Sequence, residues 1–328
     1  MNHKFIDIPK YVEPTVYENT VDKIVEFLKK ESSVHSIFRL GNVNHPGISD
    51  LDIIVVFKNG SSCKLNPESY FNESDKYLVT HDLAGASEEY FQKILPFTFF
   101  DNLECIWGTD PRSSIPEEDK YLEFEKEYHE QIGLEFLIKN FLDVSVQQKY
   151  GVIKLRSLLQ EIKGVRYDLG FLGISEKPIN HFMNDYLKRL DNWFDTPFSP
   201  EEFTQYLSDY YSVLRNTIID LNLDNKLLWL PKEHGLKYGR NVYLSKENQL
   251  KLQTSGLFIP PFLLRKSKKW YNAHQRLNSF SIGINFTTHD PKNIHFTRLN
   301  TFKHYNQQNA DKYPHFGALH SSLSDHFI

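Results

Sequence analysis

Apolar residues change period along this chain, and the changes divide it. Val21, Ile24, Val25 and Leu28 recur at three- and four-residue spacing, which predicts an amphipathic helix over about Tyr17–Lys30. Val34–Leu40 reads as a strand, Gly41 as a turn, and Leu51–Phe57 as a second strand, buried on both faces because Ile53–Phe57 has no polar break. Lys58-Asn59-Gly60-Ser61-Ser62 is a turn cluster. Ala86–Leu95 predicts a helix stopped by Pro96, and the aromatic Phe97–Trp107 a third strand. Gly108-Thr109-Asp110-Pro111 closes that strand, and Arg112–Glu118 reads as a linker.

From about Lys120 to Leu223 the period is helical. Leu134, Leu137, Ile138, Phe141 and Leu142 form one stripe; Val152, Leu155, Leu158, Leu159 and Ile162 form another. Phe182–Phe194 and Pro200–Leu221 add two helices, the second announced by Ser199 as cap, Pro200 at the first helical position and Glu202 three residues after the cap. Beyond Leu223 the pattern is mixed. Leu227–Leu230 and Asn241–Leu244 read as short strands, Gly256-Leu-Phe-Ile-Pro-Pro as a turn, and Arg265–Arg276 as a basic, aromatic run. No element is assigned after Asp290. The expected class is α/β (α+β): a small mixed sheet in residues 1–115, a helical domain in 116–225 and a mixed C-terminal region in 226–328.

The polar positions that interrupt this pattern carry the chemistry. Asp50 and Asp52 open the apolar strand and are two residues apart, so in a strand they share a face. Paired carboxylates raise each other's pKa unless a cation lies between them, and that pairing suits a hard divalent metal carrying substrate phosphates.

The stretch Arg39-Leu-Gly-Asn-Val-Asn-His-Pro-Gly-Ile-Ser-Asp-Leu-Asp-Ile-Ile-Val-Val-Phe57 resembles the nucleotidyltransferase superfamily typified by DNA polymerase beta and the aminoglycoside nucleotidyltransferases. The likeness spans about Val21–Gly108 and rests on Gly41, Gly47, Ser49, Asp50 and Asp52; the family's Gly-Ser is Gly41-Asn42 here. The resemblance implies a nucleotidyltransferase core over 1–115 that moves a nucleoside monophosphate from an NTP to an acceptor hydroxyl or phosphate and releases pyrophosphate. It assigns Asp50, Asp52 and a third carboxylate from a later strand to the metal and to catalysis, with Mg²⁺ as the cofactor and Mn²⁺ as its substitute; among Asp101, Glu104 and Asp110, Glu104 best matches the family's apolar-acid-apolar form in Leu103-Glu104-Cys105, whereas Asp101-Asn102 suggests a bulge or turn. Gly41, Asn42 and Ser49 contact phosphates, and Lys154 or Arg156 of the helical domain lends positive charge to the triphosphate. Two rivals stand beside this reading: a relative that binds nucleotide without turnover, motivated by Asn42, and a terminal nucleotide adder that clamps a strand with Arg265–Arg276.

Composition trims these options. Among 328 residues the net charge is -4, which disfavours nucleic acid as partner. Two cysteines, Cys63 and Cys105, make neither a disulfide framework nor a Cys-type zinc site. Six histidines fall between His289 and His326 without a cysteine or carboxylate set to complete a metal centre. No P-loop, Gly-x-Gly-x-x-Gly or Gly-x-Ser-x-Gly pattern occurs. With no signal-like apolar stretch at Met1–Lys10 and no run of membrane-span length, a soluble, cytoplasmic protein without a membrane partner is expected.

Overall fold

The computed structural model describes residues 3–95, 102–114, 124–175, 177–224, 228–230, 236–238, 241–247, 249–288 and 294–319. The first half of the chain forms β1 (Lys4–Ile6), α1 (Pro14–Leu28), β2 (Val34–Leu40), β3 (Asp52–Phe57), α2 (Glu73–Leu78), β4 (Ala84–Ser87), α3 (Glu88–Ile94) and β5 (Leu103–Gly108). Four helices and a short strand follow: α4 (Glu125–Tyr150), β6 (Val152–Lys154), α5 (Leu155–Phe171), α6 (Pro178–Asp191) and α7 (Pro200–Leu223). The rest comprises β7 (Leu228–Leu230), β8 (Leu236–Tyr238), β9 (Val242–Lys246), β10 (Leu252–Ser255), α8 (Pro261–Lys266), α9 (Lys268–Leu277), β11 (Ser279–Ile284), β12 (Phe286–Thr288) and α10 (Ile294–Lys312). The class is mixed α/β, with small mixed sheets, as the periodicity predicts.

Two compact units divide the chain. One takes residues 10–125 and 297–321; the other takes 1–9, 126–296 and 322–328. The chain passes between the units after residues 9, 125, 296 and 321, so residues 297–321 return to the unit begun by 10–125. Such returns are invisible to a reading of local pattern, because burial partners distant in sequence decide them.

In the first unit the sheet order is β4-β3-β2-β5, with β3 antiparallel to β2 and parallel to β4. β3 is central and covered on both sides, hence its unbroken apolar run. Ile53, Val55 and Phe57 share a cluster with Tyr17, Val21, Ile24 and Leu28, which recur along one face of α1. On the opposite face Phe38 of β2 stacks on Phe91 of α3 at 5.0 Å between ring centroids. Tyr313 and Phe316, just past α10, close over Phe57 with centroids at 4.1 and 5.0 Å. Ala84 of β4 bridges Gly317, so the returning chain covers the sheet edge that β4 leaves open.

The second unit holds α4–α7, the parallel pairs β1–β6 and β7–β12, and a sheet of order β10-β11-β9-β8. Ser199 and Glu202 form the reciprocal capping box that starts α7. Val146 and Tyr150 of α4 pack with Leu264, Tyr271 and Phe280, which ties α8, α9 and β11 to the helices.

Candidate metal centre

The loop 41–51 links β2 to β3, and its closing pair is Leu40 opposite Asp52. Gly41 enters the loop with φ +75, where an added Cβ meets nothing within 4 Å. Glycine is needed there for the left-handed backbone and not for space. Two tyrosines fix the loop. Tyr17 accepts from the Gly47 N–H at 2.8 Å and donates to the Ser49 carbonyl at 2.8 Å, and Tyr77 donates to the Gly47 carbonyl at 2.6 Å. The Leu51 N–H donates to the Leu78 carbonyl at 2.9 Å, so the residue between Asp50 and Asp52 is pinned to the end of α2.

Parallel strands begin at the same sheet end, so the residues entering β4 come beside the head of β3. Thr80 and His81 occupy that entry. Thr80 Oγ1 donates to Asp50 Oδ2 at 2.9 Å. His81 Nε2 lies 2.7 Å from Asp52 Oδ1, and its Nδ1 lies 2.9 Å from the Asp82 carbonyl. That carbonyl can only accept, so the ring carries a proton at Nδ1. One ligand atom each from Asp50, Asp52 and His81 lies within 4.8 Å of the other two. Burial, and after it the charge of Asp52, pushes the Asp50 carboxyl up. The hydrogen bond to Asp52 raises His81 to about 9, so the imidazolium balances part of the paired negative charge at neutral pH.

Glu104 is not brought to this pair. Arg39 stands opposite Ile53 on one side and Glu104 on the other, whereas Asp52 stands in the row of Leu40 and Leu103. Side chains one residue apart on a strand point to opposite faces, so Glu104 projects away from Asp52. Its Oε2 accepts from Arg39 Nη2 at 2.7 Å, and Arg39 Nη1 donates to Glu18 at 3.0 Å. Of the expected Asp50, Asp52 and Glu104, the structure brings Asp50 and Asp52 together and sets Glu104 apart by register, and it brings His81 beside the two aspartates. Asp110 is ion-paired with Arg112 at 2.6 Å, which holds its carboxyl below the usual range. Asp101 lies outside the described residues.

The expected phosphate contacts are placed unevenly. The Gly41 N–H already donates to the Asn102 carbonyl at 2.9 Å. Ser49 is buried, and its hydroxyl accepts from the His45 N–H at 3.4 Å inside the loop. Asn42 is exposed one residue past Gly41. Lys154 and Arg156 belong to the second unit. The Lys154 ammonium lies 6.0 Å from the Tyr271 ring centroid, and Arg156 is buried in the first turn of α5, its N–H donating to the Asp7 carbonyl at 2.8 Å.

Thr80 and His81 escape a sequence reading because β4 does. Ala84-Gly-Ala-Ser has none of the β-branched alternation that marks a strand, so nothing announces that its entry turn meets Asp50 and Asp52. No helix among the described residues is long and apolar enough to cross a membrane. Comparison with protein-family models and with curated proteins finds no match for this sequence.

Proposed function

We propose that this chain is a metal-dependent nucleotidyltransferase, moving a nucleoside monophosphate from an NTP to an acceptor hydroxyl or phosphate with release of pyrophosphate. One observation carries the reading: Asp50, Asp52 and His81 converge at the head of a central strand, directly behind a glycine turn. Two carboxylates with one imidazole fit a divalent cation, and the nitrogen donor favours Mn²⁺ over Mg²⁺ as occupant. A cation held there would neutralise the phosphate charge that develops as pyrophosphate leaves. Thr80 orients Asp50; without a cation His81 is the counter-charge of Asp52, and a metal taken up through Nε2 would displace the proton on that nitrogen and replace its charge. The acceptor oxygen attacks the α-phosphorus, the bond to the β-phosphate oxygen breaks, and the acceptor proton is released.

A second reading has its own support. Arg39 already engages Glu104, the Gly41 N–H is bonded to the Asn102 carbonyl and the Ser49 hydroxyl is bonded inside the loop, so both the third carboxylate and part of the phosphate cradle are taken. A chain that binds metal and nucleotide without turnover follows from that. Isothermal titration with Mn²⁺, Mg²⁺ and each NTP separates these readings when joined to a pyrophosphate-release screen. Binding lost in Asp50→Asn and Asp52→Asn supports the site; release of pyrophosphate distinguishes the enzyme from the binder. Metal binding equal in wild type and both variants sinks both.

A further inference from the structure

From Asn248 to His289 the sequence contains no aspartate or glutamate, although the whole chain is net negative. The same stretch carries Lys251, Arg265, Lys266, Lys268, Lys269 and Arg276. It also holds five large apolar side chains that the fold leaves in solvent: Leu257 (53% exposed), Phe258 (81%), Phe262 (53%), Trp270 (49%) and Leu277 (62%). Leu257 and Phe258 lie in the turn before α8, Phe262 on α8, and Trp270 and Leu277 on α9.

The arrangement on α9 is ordered. Tyr271 and His274 face the core, which fixes the helix rotation. Trp270 and Leu277 are seven residues apart and share an exposed face next to that buried stripe. Lys269 and Arg276, also seven apart, flank the apolar face on its other side, and both are exposed. On α8 the Lys266 ammonium lies 5.9 Å from the Phe262 ring centroid, so cation and apolar surface meet there too. Isolated exposed apolar residues are ordinary, but five within residues 257–277, with Lys266 against Phe262, Lys269 next to Trp270 and Arg276 next to Leu277 in a stretch lacking any acid, are not.

We propose that the surface of residues 257–277 docks on an anionic lipid bilayer, with Leu257, Phe258, Phe262, Trp270 and Leu277 entering the headgroup boundary and Lys266, Lys268, Lys269 and Arg276 pairing with lipid phosphates and carboxylates. Lysine stems lie along apolar surface while their ammonium groups stay at headgroup level, and indole rings favour the same depth. Leu257 and Leu277 have no ring on which a base can stack, which favours lipid over a single nucleic-acid strand. The charge sign selects an anionic surface over a neutral one. The contact is peripheral and needs no spanning helix. It departs from the expectation of no membrane partner, and it is independent of the metal centre.

Co-sedimentation of the full chain with vesicles tests this. Vesicles of phosphatidylcholine with phosphatidylserine should carry the protein down, and vesicles of phosphatidylcholine alone should not. Each lysine near such a surface is worth about a fivefold factor in partition, so Lys268→Glu/Lys269→Glu should lower binding at least about 25-fold. Phe258→Ser/Trp270→Ser should also weaken it, and added salt should weaken the wild type. All four positions are exposed, so far-UV circular dichroism and the melting temperature should match wild type. Equal binding to both vesicle types, or no binding to either, overturns the proposal. So does salt-sensitive binding of a short RNA in place of vesicles, or concentration-dependent self-association that the Phe258/Trp270 variant abolishes.

Discussion

Glu161 offers the sharpest quantitative test of the fold. Its Oε2 is shut off from solvent and has no hydrogen-bond partner among the described residues. Burial, and after it the neighbouring Asp143 carboxyl, pushes Glu161 up to about 8, with Lys139 and Lys154 opposing the rise. An unfolded glutamate titrates near 4.5. Between those two values the folded chain keeps a proton that the unfolded chain has lost. Stability therefore falls as pH rises through this window, by up to about 1.4 kcal/mol per pH unit. Carried from pH 4.5 to 7, the slope gives at most about 3.4 kcal/mol; because Asp143 titrates with Glu161, about 2 kcal/mol is expected for Glu161 alone. Glutamine has nearly the same shape and no proton to lose. Urea denaturation of wild type and Glu161→Gln, followed by circular dichroism at stepped pH, should give coincident stabilities near pH 4 and a variant more stable by about 2 kcal/mol at pH 7. A difference between the two that does not change with pH, or that favours wild type at neutral pH, refutes the reasoning.

Four further outcomes are expected. Asp168→Asn should show the same direction, since burial also holds the Asp168 carboxyl well above its ordinary value; denaturation at pH 5 and 7 compares the two. Gly85→Ala should destabilise by about 1–3 kcal/mol, because its Cβ would stand 2.6 Å from the Phe316 Cβ with the Gly85 N–H held to the Gly317 carbonyl at 2.8 Å; a chemical melt reads it. Ser199→Ala removes the cap of α7 and should cost about 1 kcal/mol by the same assay. Glu104→Gln should leave metal affinity within about twofold of wild type, as the side chain pairs with Arg39 on the far sheet face, while Asp52→Asn lowers it by calorimetric titration about tenfold or more.

The strands Val34–Leu40 and Leu51–Phe57 and the helix starting at Ser199 were legible because local pattern and burial agree there: β2 runs Val34–Leu40, β3 begins at Asp52, and the capping box forms. Ala86–Leu95 was half legible. Ser87 caps α3, but Ala84–Ser87 is a strand whose small residues are explained only by Phe316 and Phe57 packed against Gly85. The part of Phe97–Trp107 before residue 102 lies outside the described residues, and the remainder is β5. α10 was missed because its apolar positions are sparse and its stripe is broken by asparagine, glutamine and histidine. At the candidate site, Asp50 and Asp52 were readable as a strand-face pair. His81 is not, since it depends on a parallel neighbour, and Glu104, whose strand is readable, is set apart from the pair by a register that local pattern does not carry.

The bridge from Ala84 to Gly317 has a consequence for biosynthesis. The unit that holds Asp50, Asp52 and His81 is begun by residues 10–125 but completed only by 297–321. A ribosome making this chain must therefore produce the whole of residues 126–296 while β4 remains a bare strand edge and Phe57 lacks its Tyr313 and Phe316 cover. The sheet is open to pairing with another nascent chain for that interval. Its exposure ends when Gly317 arrives, which makes a later-synthesised turn the guard of an earlier-synthesised sheet.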